Sequence, residues 1–202
     1  IQRLFVARRI NADAAAWIKS APITAQLSEL TAIKTGSLTI SVNGTEKEVV
    51  NLDFSTAKSF SDVATELASA VGAVSGAFNS DQNAIILTTT ETGDTASISF
   101  ATKATTGTDV SALLGLTADS GAVLSQGSDA LTPAQNMNLV TSVSRNWVGF
   151  TTLYATEVAE ASALAAWADI DDDYVYFDWS TDTKMLDQST QSTTKAAQLP
   201  ES

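Results

Sequence analysis

A few stretches of this sequence carry side chains that could do chemistry. Asp169, Asp171, Asp172 and Asp173 bring four carboxylates together, the kind of oxygen cluster that can hold a hard cation such as calcium. The spacing of Asp169, Asp171 and Asp173 matches the start of a calcium loop. Such a loop needs glycine at its sixth position and a bidentate glutamate at its twelfth, where this sequence has Tyr174 and Ser180. The cluster therefore reads as a solvated link between a helix and a strand. Ser192-Thr-Thr-Lys195 has the Ser-x-x-Lys form of some acyl-transfer enzymes. A reactive lysine needs a desolvated pocket, and this one lies in a polar stretch without the companion motifs, so the spacing reads as chance. Asn43-Gly44-Thr45 fits a glycosylation acceptor, but Asn-Gly is already explained as a turn dipeptide. Trp17, Trp147, Trp167 and Trp179 all lie in apolar periodic segments and read as core, with an interface or carbohydrate platform as the alternative.

The missing residue types narrow the chemistry further. The chain has no cysteine, so disulfides, thiolate nucleophiles and cysteine-ligated metal centres are excluded. It has no histidine either, which removes the usual general base near neutral pH and the commonest metal ligand. No phosphate-binding loop or dinucleotide fingerprint is present. The sequence thus predicts no catalytic, cofactor-binding or metal-binding residue. It points to a structural or interaction subunit, not an enzyme. The formal charge of −12 argues against nucleic acid as a partner, because the densest basic cluster is only Arg3, Arg8 and Arg9. No apolar run approaches the ~20 residues that cross a bilayer, so no membrane insertion is expected. The first residues are too short and too charged for a signal peptide. Starting at Ile1, the chain reads as a processed product or a piece of a longer protein.

The elements that would position these residues fall into three stretches. Residues 1–35 read as a strand at Leu4-Phe-Val-Ala7, a helix over the Ala-rich segment 14–19, then a short helix or turn at 23–30 after Pro22. Residues 36–131 are rich in Ser, Thr and Gly and alternate in twos. Leu38, Ile40 and Val42 share one face of a strand, Asn43-Gly44 signals a type I′ hairpin, and the return strand reaches about Leu52. Ser59-Phe-Ser-Asp62 looks like a helix start, with Phe60, Val63, Ala64, Leu67 and Val71 at helical spacing and Gly72 as the stop. A second hairpin is expected at 75–79 and 84–90, a third strand at 96–100, a helical segment at 109–114 and a short extended piece at 116–124. After Pro133 the spacing gives a helix at 134–145, a strand at 147–154, a helix at 156–168 and a strand at 174–179. That rhythm is parallel α/β. The predicted class is α/β: a layered α/β domain, 1–35 with 132–202, interrupted by an inserted α+β domain at 36–131 of antiparallel strands plus a helix. Residues 188–202 read as frayed or truncated.

An ordered set of short segments resembles a bacteriophage family of tail-sheath-like proteins. It comprises Arg3-Leu-Phe-Val-Ala-Arg-Arg9, Gly36-Ser-Leu-Thr-Ile-Ser-Val-Asn-Gly44, Phe60-Ser-Asp-Val-Ala64, Ala112-Leu-Leu-Gly-Leu116 and Leu124-Ser-Gln-Gly127. Asn146-Trp-Val-Gly-Phe-Thr-Thr152 and Ala165-Ala-Trp167 complete it. The resemblance implies a contractile-sheath subunit whose inserted domain faces outward. Its implied partners are copies of itself, the tail tube and baseplate proteins, within a virion tail assembled in the host cytoplasm. It implies no catalytic residues. Sheath proteins are usually much longer, so it also implies a fragment whose subunit-linking segments lie elsewhere. A second likeness covers Val42 to Leu116, where Phe60-Ser-Asp-Val-Ala64, Ala77-Phe-Asn79, Ile86-Leu-Thr-Thr89 and Leu113-Leu-Gly-Leu116 are similar to modules of flagellins and flagellar hook-associated proteins. It implies a surface assembly protein of filament type. A carbohydrate-processing or carbohydrate-binding module is a third reading, and it requires an exposed aromatic platform or paired carboxylates in a cleft.

Overall fold

The Ala-rich opening stretch is a strand, not the helix its composition suggests. In a computed structural model that describes residues 6–7, 9–170, 173–187, 189–190, 192 and 194–198, β1 spans Ala15–Lys19. Ala16 and Ile18 are fully buried while their neighbours are half-buried, a period of two. Helix propensity is only a weak preference. Here it yields to pairing on both sides, with the strand at 84–92 and the strand at 123–125. The strand expected at Leu4-Phe-Val-Ala7 lies largely outside the described residues.

The chain divides into two compact units: an inner one at 12–130, and an outer one at 1–11 with 131–202. Residues 12–35, expected with the outer domain, belong to the inner unit, because β1 lies inside its sheet and Ile23 N donates to Asn83 O at 2.8 Å. After α1 (Leu27–Thr31) come β2 (Gly36–Val42) and β3 (Thr45–Leu52). Their turn has Asn43 at φ 50° and Gly44 at φ 73°, the left-handed pair a type I′ hairpin requires. Helix α2 (Phe60–Val71) begins as its residues predict: Ser59 Oγ accepts from Asp62 N at 3.2 Å, a cap worth about 1 kcal/mol. The Asp62 carboxylate reaches one residue beyond the cap, to Lys58 N at 2.8 Å.

Next follow β4 (Val74–Asn79), β5 (Ala84–Thr92), β6 (Thr108–Asp109) and β7 (Val123–Ser125). One sheet has the order β4-β5-β1-β7 and the other β3-β2-β6. Helix α2 packs on β4, and Gly76 makes that approach possible: a Cβ there would sit 2.1 Å from Ala64 O and 2.9 Å from Ala68 Cβ. The core gathers Ile18, Leu38, Ile40, Phe54, Leu67, Leu87 and Leu116 among others, all inside the inner unit.

Two expected elements of this unit are irregular. In place of the strand expected at 96–100, the chain makes one isolated bridge there, Val42 to Ile98, and a second just beyond it, Thr39 to Thr102; side chains of Asn43 and Gln126 take the amides of Ser97 and Ile98. Residues 109–114 close a single helical turn, Leu114 N to Val110 O at 2.9 Å, after the two residues of β6.

In the outer unit, α3 (Pro133–Val143) is followed by β8 (Gly149–Thr151), α4 (Val158–Asp169) and β9 (Val175–Phe177). Strands β8 and β9 pair in parallel, Gly149 with Val175 through Thr151 with Phe177. Strand–helix–parallel strand is the α/β rhythm expected for this part, with strands of only three residues. A short α5 (Lys195–Gln198) follows. The molecule is thus of mixed α/β class.

Candidate functional site

The two units finish their surfaces differently. Among the described residues, every exposed large hydrophobic except Val50 and Val123 belongs to the outer unit. Helix α3 shows how this arises. Its Thr132 cap is sound, with Oγ1 accepting from Gln135 N at 3.2 Å, yet the helix has no buried residue. One side meets α4, where Trp167 Nε1 donates to Asn138 Oδ1 at 2.9 Å. Elsewhere Val6, Ala7, Leu139, Val140, Val143 and Trp147 line an apolar groove of about 290 Å³. Val143 is 87% exposed.

The parallel pair tells the same story. Parallel strands ordinarily have both faces covered, but Phe177 is 61% exposed, and Val148 and Val175 are exposed too. Aromatic rings pack against one another within this unit. Trp147 lies 4.3 Å from Tyr174 and 6.2 Å from Trp167 between centroids, and Phe150 lies 5.1 Å from Tyr176. The sequence placed all four tryptophans in the core. Trp167 is buried, Trp17 and Trp147 are half-buried, and Trp179 is 40% exposed. Trp179 still satisfies its ring N–H within the unit, Nε1 donating to Thr152 O at 2.8 Å.

A polar knot that sequence spacing did not reveal anchors the C-terminal stretch. Lys195 Nζ is 2.7 Å from Asp178 Oδ2 and 2.5 Å from Thr156 Oγ1, and Tyr176 OH donates to Asp178 Oδ1 at 3.0 Å. Burial works to raise the pKa of Asp178. The donors from Lys195, Thr156 and Tyr176 outweigh it and hold the carboxyl below its ordinary value. The amine of Lys195 is therefore engaged by an ion pair and is not free to activate Ser192. A second knot joins Arg9 to Tyr154 OH at 2.7 Å and to Glu160. Burial opposes the Arg9 charge, but the Tyr154 hydroxyl and the Glu160 carboxylate overcome it, and its pKa is raised.

The other candidates scatter. Asp169 ends α4 and Asp173 precedes β9, while Asp171 and Asp172 lie outside the described residues. Asn43 sits at the hairpin tip, with Oδ1 accepting from Ser97 N at 3.1 Å. Among the described residues no helix is long and apolar enough to cross a membrane.

What the molecule offers is therefore surface: strand edges at β3, β4, β6 and β7, and the open apolar side of the outer unit. Comparison with curated proteins finds no match. Residues 13–128 match a family model described as the insert domain of the E217 tail sheath protein gp31. The match covers the inner unit almost from end to end and agrees with the tail-sheath resemblance of the sequence. By that match the chain belongs to the family of the E217 tail sheath protein gp31 insert domain, a structural family of bacteriophage tail sheaths.

Proposed function

We propose that this chain is part of a sheath subunit that assembles with copies of itself around a phage tail tube. It acts as a structural element and not as an enzyme. In this reading it belongs to a longer protein, contacts tube and baseplate proteins in the virion tail, and is assembled in the host cytoplasm. The observation that carries the reading is the uneven finish of the surface: apolar groups concentrated on the outer unit, around a two-stranded parallel pair open on its faces. An exposed strand edge can recruit a strand from a neighbouring subunit, and apolar side chains beside it supply the burial that holds the neighbour. The net charge of −12 limits premature association while subunits are free. The flagellar likeness covers only Val42 to Leu116 and leaves β8, α4 and β9 without a role.

Sedimentation of the longer protein with and without tail tubes tests this. The expected result is polymerisation into tubes with a helical repeat under the electron microscope. Val143→Asp should weaken that polymerisation while leaving the monomer folded, since Val143 is exposed. A protein that stays monomeric at high concentration, tubes present or not, overturns the assignment.

A further inference from the structure

The sheet β4-β5-β1-β7 turns one face to the core. Ala16, Ile18, Ile85, Leu87 and Val74 alternate into the core. The residues between them alternate onto the opposite face, and register places them in rows. The middle row runs Ser75, Thr88, Trp17, Ser125 across four strands. The next row runs Ala77, Ile86, Lys19, Val123. None of these eight side chains is fully buried.

Two properties set this face apart. The first is charge. The inner unit carries thirteen carboxylates against five lysines, yet no residue that alternates onto this face of the four strands is acidic. Its one cation, Lys19, donates to Gln82 Oε1 at 3.1 Å. The second is the indole of Trp17. Trp147, Trp167 and Trp179 each donate their ring N–H to an oxygen of the protein. Among the described residues, Trp17 is the tryptophan whose ring N–H has no such acceptor, and it is not buried.

We infer that this face binds an uncharged polysaccharide, with one sugar ring on the Trp17 indole and its neighbours over the hydroxyls of Thr88, Ser75 and Ser125. The chemistry fits in three ways. An indole offers a flat apolar surface and a polar N–H together, which suits the CH-lined face and hydroxyl rim of a sugar. Strands about 4.8 Å apart set the hydroxyl donors at a step close to the width of one sugar ring. With Lys19 as its one charged side chain, the face offers an indole and hydroxyls in place of the several ionic contacts that hold a charged ligand. A protein partner is the weaker fit, because interface hot spots need a cluster of large anchors in a desolvated pocket and this row holds one aromatic among hydroxyls.

The test is binding of the whole chain to a printed array of bacterial surface polysaccharides, followed by titration with the best uncharged one. Saturable binding is expected, with Trp17→Ala about tenfold weaker, as the loss of one stacking contact implies. Trp17→Phe should keep part of the affinity. Thr88→Asp places a carboxylate in the middle row without removing the indole, and it should also weaken binding. Each variant is checked for an unchanged far-ultraviolet spectrum. No binding to any uncharged glycan overturns the inference, as does binding that Trp17→Ala and Thr88→Asp leave intact. A change in sedimentation of the variants without sugar binding would assign the face to a protein partner instead.

Discussion

At the scale of single residues, the inner unit depends on an absent side chain. Gly76 lets β4 lie against α2, and the carbonyl of Ala64 occupies the place a methyl would take. That obstacle is helix backbone and cannot swing aside. Gly76→Ala should therefore cost about 3 kcal/mol, at the upper end of overpacking penalties. Urea unfolding followed by circular dichroism would measure it, and a loss under about 0.5 kcal/mol would show that the helix shifts freely. The hairpin tip shows the opposite case, where residue type announced geometry: Asn43 and Gly44 adopt the positive φ values that their identities allow.

At the scale of elements, legibility followed how completely each element was determined by its own residues. Helix α2 carried its cap, its spacing and its stop in sequence, and it appears as expected at Phe60–Val71. Strand β1 did not, because Ala14-Ala-Ala is decided by partners at β5 and β7 that are remote in the chain. The irregular segment at 96–100 is likewise decided by Asn43 and Gln126. Lys195 and Asp178 were illegible for the same reason, since their pairing spans unrelated spacing. That pair tethers α5 to the end of β9 and makes a pH prediction. The Asp178 pKa is depressed in the folded protein, so its contribution is fully present above the unfolded value of about 3.9. It is lost as pH falls through the lower folded value. Asp178→Asn should destabilise the outer unit by about 1 kcal/mol at pH 7, discounted for partial exposure. The difference from the parent should shrink as pH falls below the unfolded value and vanish once the folded carboxyl is protonated as well. Tryptophan fluorescence reports this unit, because Trp147, Trp167 and Trp179 all lie there. A difference that persists unchanged into acid would show that the carboxylate charge is not what holds the tether.

At the scale of the whole molecule, the two units differ in how much of their apolar surface they bury. The inner one has a continuous core drawn from both sheets and α2. The outer one buries Ala161, Leu164, Trp167 and Ala168 of α4 and leaves α3 without a buried residue. Residues 12–130 should accordingly fold alone with a cooperative melt by circular dichroism, and a featureless melt would show that they need the outer unit. The points where the chain leaves the outer unit and returns to it are joined: Leu131 N donates to Ile10 O at 3.0 Å, and Asn136 Oδ1 accepts from Ile10 N at 3.1 Å. The inner unit's own ends are joined as well, Ala14 N to Ser128 O at 2.8 Å. For the outer unit, residues 12–130 amount to a detour of almost no span. Tension along the outer chain would pass through the Ile10–Leu131 contact and leave the detour unloaded. Loop closure depends only weakly on length, so the detour can lengthen, shorten or be exchanged for another without moving either of the two points it leaves from.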